Sequence, residues 1–247
     1  MATLESDALV LRAIRYGEAD AVLSLYTRGA GRVSALAKGA RRPRSRLGGR
    51  LQPAMGVRVN LHRGRGDMYT VRGAAVLDAR AGLWVDGWRL QAASCLLEAV
   101  MRVSPEGEAD EATWHLLGRA LDALAASTTA PAVGAPARLH PLVLSAEVKL
   151  LVIAGLLPVL GTCVRCGAPP PLPAFSAAAG GALCAAWAPG GEPVDGSELA
   201  GFAALAAHPL ARAADVLPPD TAPGVERLIG LLLREHLGVR LRSAAAP

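Results

Sequence analysis

Between Lys38 and Arg50 the sequence KGARRPRSRLGGR carries six cations, Lys38, Arg41, Arg42, Arg44, Arg46 and Arg50, and no acid. Like charges at that density repel one another, so the segment calls for an external polyanion, and a chain of phosphates matches it. Gly39, Pro43, Gly48 and Gly49 make the segment a loop, and the alternating apolar runs on either side place it between strands. Arg15, Arg58, Arg63 and Arg65 are candidates to extend the patch. Sulfur forms the second group. Cys163-Val164-Arg165-Cys166-Gly167 is a CxxCG knuckle, whose two thiolates can reach one tetrahedral metal while the glycine permits a turn that aims N–H groups at sulfur. Cys184 supplies a third thiol, but the run Cys184-Ala185-Ala186-Trp187 leaves the spacing one ligand short. None of the five histidines stands at ligand spacing from the knuckle, and His208 is the one to test as a distant ligand. Cys95, inside a helical stretch, reads as a small buried apolar residue.

Catalytic constellations are missing from the sequence: no phosphate-binding loop ending in Lys-Ser or Lys-Thr, no HExxH, no GxSxG. Glu18 and Asp20, two apart near Arg15, are accounted for by turn formation and pairing with arginine. The chain is expected not to be an enzyme.

The elements that must position these groups can be read from periodicity. Ala8–Ile14, Ala21–Tyr26, Arg32–Lys38, Gly56–Leu61 and Met68–Leu77 are short alternating or β-branched runs separated by turn residues. Five strands in under eighty residues imply a small barrel. An SH3-like barrel fits the count nearly as well as an OB-fold, but the OB-fold suits a long basic loop because its strands and loops bind single strands. From about Leu83 the period becomes helical, with helices expected at 83–103, 109–126, 139–157, 197–207 and 225–237. The third is apolar nearly all round and belongs at the centre of a helical domain. The fold class expected is therefore α+β: an OB-fold barrel over residues 1–80, then a helical domain over 81–247 with a Cys, Gly and Pro-rich insert at 161–191.

Composition agrees with that division. The net charge is +5 and the pI about 9.4, yet residues 1–80 hold 15 Lys and Arg against 6 Asp and Glu, whereas the rest is net acidic. The basic character belongs to the barrel. Four cysteines are too few for a disulfide scaffold, and there is no basic start followed by an apolar core, so a cytoplasmic protein is expected. The longest apolar stretch, Leu150 to Leu160, is eleven residues, too short to span a bilayer. Single-strand binders usually add aromatic platforms to a cationic groove, but the first eighty residues offer only Tyr16, Tyr26 and Tyr69, each expected in core or turn packing. Binding should then rest on phosphates, with little sequence preference and a steep loss in salt.

The run ALVLRAIRYGEADAVLSLYTRGAGRVSALAKGARRPRSRLGGRLQPAM resembles the bacterial recombination mediator RecO family, through YGEAD, the strand ending in Thr, the Gly turn, AKGAR and the basic loop closing on LQP. GLLP, CVRCG and GGALC match that family's C-terminal part in order. The resemblance implies an N-terminal OB-fold, a helical domain with a zinc-finger-like insert, binding of single- and double-stranded DNA, strand annealing in the RecF pathway, and a nucleoid-associated location. It implies partnership with RecR and with the acidic, apolar tail of single-stranded-DNA-binding protein, and leaves a part for RecF open. By resemblance Lys38, Arg41, Arg42, Arg44 and Arg46 contact DNA; Arg50 and Arg15 join the candidate DNA-binding set by their charge and place in the sequence. Cys163, Cys166 and Cys184 fall on three of the four zinc positions used by many members, and Trp187 falls on the fourth. Arg227, Arg234, Arg240 and Arg242, at and beyond the last helix, are candidates to receive the tail. The rival reading is an OB-fold scaffold that binds RNA or ribosomal surfaces without annealing. A zinc hydrolase or deaminase would need a complete metal site and a general base, and the sequence displays neither.

Overall fold

The computed structural model describes residues 2–64, 66, 68–131 and 134–241 and divides into two compact units, 1–126 and 127–247. The first unit opens with strands β1 (Ala2–Tyr16), β2 (Asp20–Thr27), β3 (Gly31–Ala37), β4 (Gly56–Arg63) and β5 (Tyr69–Asp78). They close into a barrel in the order β1-β2-β3-β5-β4, with β1 also paired to β4 and β3 parallel to β5. This is the OB-fold expected from the sequence. It has the long first strand such a barrel needs: the N-terminal half of β1 pairs with β4 and its C-terminal half with β2. The handover falls at a bulge between Val10 and Arg12, where Val10 exchanges backbone hydrogen bonds with Ala54 and Met55 at 2.8 and 3.0 Å. Alternating apolar residues fill the interior, among them Val10, Leu23, Leu25, Val33, Val57, Val59, Leu61 and Val71. Turn chemistry sets the β2–β3 corner: the buried Thr27 hydroxyl donates to the Gly31 carbonyl and accepts from the Ala30 N–H.

Helices α1 (Gly87–Val103) and α2 (Glu111–Ala126) belong to this first unit. The change of period near residue 80 marks where strands give way to helices, while the compact units divide later, after Ala126. The reason lies in contacts that sequence does not display. The β3–β5 pairing is limited to Ala35 with Tyr69 and Leu36 with Thr70, and ahead of it the connection between α1 and α2 lies along β3. There Arg32 bridges to Glu106, Gly107 N–H donates to the Arg32 carbonyl, and Tyr26 Oη donates to the Asp110 carbonyl. Gly31 comes so close to the Glu108 carbonyl that a Cβ would overlap it. Arg80, its side chain almost fully buried, ties the end of the barrel to α2 through Asp122 at 2.7 Å.

The second unit is built round α3 (Pro141–Ile153), which packs against α4 (Gly196–Ala207), α5 (Ala213–Val216) and α6 (Ala222–Leu237). Nearly every residue from Val143 to Leu151 is buried, as its all-round apolar sequence requires. A capping box of Asp195 and Glu198 starts α4, and left-handed Gly238 ends α6. Between α3 and α4 lies the insert, where strands β6 (Ala174–Ser176), β7 (Gly181–Leu183) and β8 (Glu192–Pro193) form a sheet in the order β7-β6-β8. Among the described residues no helix is long and apolar enough to cross a membrane.

Candidate nucleic-acid interface

The basic segment leaves β3 at Lys38 and returns to β4 at Gly56. Its start is fastened to the β1–β2 hairpin: Gly39 N–H donates to Asp20 Oδ1 at 2.7 Å, and Arg41 N–H donates to the Ala19 carbonyl at 2.8 Å. Its end is fastened to the β1 bulge through Ala54 and Met55. Between them Leu51 is buried in the barrel core, with Ala40 and Leu47 packed against it. The sequence thus alternates apolar anchors with cations, and the segment is a loop made of successive turns laid on the barrel.

Lys38, Arg41, Arg42, Arg44, Arg46 and Arg50 are all exposed. Among the described residues none of the six, nor Arg15, takes part in an ion pair. Arg41 and Arg50 spend one N–H each on a backbone carbonyl, of Glu18 and Ala74, at 3.3 Å. Asp20, on the hairpin to which the segment's start is fastened, is engaged by Gly39 N–H. Such a surface holds its charge uncompensated and presents guanidinium forks suited to phosphate oxygens. The other candidates differ. Arg15 is exposed on the hairpin, whereas Arg58 is paired to Asp7 at 2.8 Å and Arg63 stands over the Tyr69 ring at 5.7 Å. Arg65 lies outside the described residues.

One residue that sequence reading set aside also belongs to this surface. Tyr26 is buried and Tyr69 half-buried, as expected of packing residues, but Tyr16 is 59% exposed at the end of β1, next to the hairpin that holds Arg41. The signal that could have found it is its place immediately before a Gly turn, at the tip of a hairpin.

The three cysteines of the insert come together. Their sulfurs lie within 4.8 Å of one another, with Cys166 and Cys184 at 3.7 Å, close to the ~3.8 Å edge that Zn–S bonds of about 2.3 Å give a tetrahedron. Burial pushes the Cys163 thiol up, but N–H groups of Cys184, Arg165 and Cys166 aimed at its sulfur outweigh this and bring it down to about 6. The Ala168 N–H favours the Cys166 thiolate, but hydrogen bonding with Cys163 and Cys184 and burial prevail, and Cys166 is raised. A cluster poised to lose its first proton easily and its next with difficulty is one that a cation would complete, so these three residues could hold a metal ion. Trp187 offers no fourth ligand, since an indole only donates; it is half exposed, with the Arg165 guanidinium 6.0 Å from its ring. His208 is not in the cluster: its Nδ1 hydrogen-bonds the Ala204 carbonyl at the end of α4.

In the second unit, Arg234 and Arg240 are exposed at and just beyond the end of α6. Arg227 is instead paired to Glu198 of the α4 capping box at 2.7 Å, and Arg242 lies outside the described residues.

Comparison with known proteins covers almost the whole chain. The family described as "Recombination protein O N terminal" matches residues 1–80, and that described as "Recombination protein O C terminal" matches residues 85–245. The chain is similar to a protein of Rubrobacter xylanophilus called DNA repair protein RecO, 37% identical over an alignment of 252 residues that covers 100% of this chain and 95% of that protein. It is similar to one of the same name from Anaeromyxobacter sp. strain K, 34% identical over 241 residues, 94% of this chain and 91% of that protein. A Bifidobacterium longum relative, also of that name, is 37% identical over 188 residues, 75% and 74% of the two chains.

Proposed function

This chain belongs to the RecO family of DNA repair proteins, and from that premise we propose that it is a recombination mediator acting without catalysis. The observation that carries this reading is the set of six exposed, unpaired cations held on a barrel by apolar anchors. Two complementary strands repel each other through their phosphates. Cations that neutralise both, and make few contacts to base edges, let the strands approach and pair, and then keep no hold on the duplex that depends on its sequence. Base pairing itself supplies the driving force. The protein acts on strands coated with single-stranded-DNA-binding protein, takes the acidic tail of that protein on Arg234 and Arg240, and works with RecR, with RecF a further partner, in the cytoplasm at the nucleoid. Cys163, Cys166 and Cys184 would hold a zinc ion, which would supply a structural cross-link between the knuckle and the end of β7.

Annealing of complementary oligonucleotides coated with the cognate single-stranded-DNA-binding protein tests this reading. Wild type is expected to anneal them, and a variant with Arg41, Arg42, Arg44 and Arg46 all changed to Ala is expected to lose that activity. Annealing by both proteins would place the DNA site elsewhere. Binding without annealing by wild type would favour an RNA or ribosome scaffold.

A further inference from the structure

Tyr16 closes β1 opposite Asp20, and left-handed Gly17 (φ 56°) turns the chain directly after it. Strand alternation puts Ile14 on the same face, and Ile14 is paired across to Val22, so an apolar strip leads up to the tyrosine ring on the outside of the barrel. Ile14 is 42% exposed. Nothing among the described residues stacks on Tyr16 or accepts its hydroxyl, in contrast to Tyr69, which lies beneath Arg63, and Tyr26, whose hydroxyl is bonded to Asp110. Asp20, directly opposite Tyr16, receives Gly39, and Ala19 receives Arg41, so the tyrosine and the first cations of the basic segment are joined through one hairpin tip.

An exposed aromatic ring on an apolar strip, beside guanidinium groups without acidic partners, has the composition of a single-strand groove: cations for the phosphates and a flat face for the base. We infer that Tyr16 is a stacking platform for an unpaired base of single-stranded DNA whose neighbouring phosphates are held by Arg41 and Arg42. This rests on the nucleic-acid reading of the same surface and adds to it a preference between two forms of DNA. A duplex presents its phosphates to the arginines but keeps its bases stacked on one another, so only an unpaired strand gains from the tyrosine. The ring then biases a cationic surface that would otherwise take both forms equally.

Equilibrium binding of a 5′-labelled single strand and of the matching duplex, each over a range of NaCl concentrations, tests the assignment with wild type, Tyr16→Ala, Tyr16→Trp and the double variant Arg41→Ala, Arg42→Ala. Tyr16→Ala is expected to weaken single-strand binding about tenfold, leave duplex binding unchanged, and leave the slope of log K against log salt unchanged, because no phosphate contact is lost. Tyr16→Trp is expected to restore single-strand affinity, which also shows that the hairpin tolerates substitution. The arginine variant is expected to weaken both forms and to reduce the slope by about 1.4 on single strands, for two phosphates. Equal losses on both forms in Tyr16→Ala, a changed slope, or full retention of single-strand affinity would overturn the platform. Failure of wild type to bind either form would overturn the nucleic-acid reading itself, and is thereby distinguishable.

Discussion

A charged residue advertises itself in a sequence, and an exposed one needs only the absence of partners to act. The six cations of the basic segment were therefore legible from composition, whereas the exposure of Tyr16 was signalled only by its place before a Gly turn, because a tyrosine serves cores and surfaces alike. His140 shows the same limit for a buried group. It caps α3, with Nδ1 accepting the Leu142 N–H and Nε2 facing the Thr129 carbonyl at 3.0 Å, so the ring must be neutral with its proton on Nε2. Burial holds its pKa below the ordinary imidazole value, against a smaller upward pull from the Thr129 carbonyl. The unfolded chain takes up this proton near its ordinary value of about 6.5, before the folded chain does, so the stability His140 contributes is complete above that pH and is lost as pH falls through the lowered folded value. Unfolding melts between about pH 7.5 and 5.5 should therefore show a steeper loss for wild type than for His140→Asn, which keeps a capping side chain without a titrating ring. The difference in slope should not exceed about 1.4 kcal/mol per pH unit, the limit for one proton. Parallel melts would remove His140 as the cause.

At the scale of elements, periodicity located what was long enough to repeat. All five barrel strands and all the long helices lie where alternation and helical period put them, but the insert's sheet escaped because its strands are three, three and two residues long. What organises so small a sheet is close approach and sulfur. Gly181 lies against the Val159 carbonyl where a Cβ would overlap, Phe175 and Leu183 are buried within the insert, and Cys184 follows β7 directly. Trp187, half exposed, contributes only part of its ring to the insert. If zinc joins the knuckle to the β7 end, purified protein should carry about one zinc per chain and Cys184→Ser should carry little, as measured by metal analysis after exhaustive dialysis. Chelation should lower the melting temperature while leaving single-strand affinity intact, because the cations lie on the barrel. Zinc-free protein with an unchanged melt would show that the three thiols hold the insert without metal.

For the whole molecule, the change of period near residue 80 marks where strands give way to helices, whereas the compact units divide after Ala126. The boundary depends on long-range contacts such as Arg80 with Asp122 and Tyr26 with Asp110, which no local pattern encodes. The charge of the molecule is uneven, basic in the barrel, acidic in the helices that complete the first unit and balanced in the second, where several arginines are already paired to carboxylates. Arg227 is committed to Glu198, which leaves Arg234 and Arg240 as the described candidates. Changing both to Glu should weaken binding of a tail peptide by at least about tenfold, measured by titration calorimetry, with DNA affinity of the barrel unchanged. Undiminished peptide binding would move the receptor to another surface. The α1–α2 connection along β3 has an effect that reaches beyond the fold. An open strand edge is a template on which another chain can add itself. With the β3 edge at Arg32 occupied by Glu106 and Gly107, and the strands otherwise closed on themselves, the barrel gives no foreign strand a place to begin there. Another copy of this chain would meet no free backbone there to pair with.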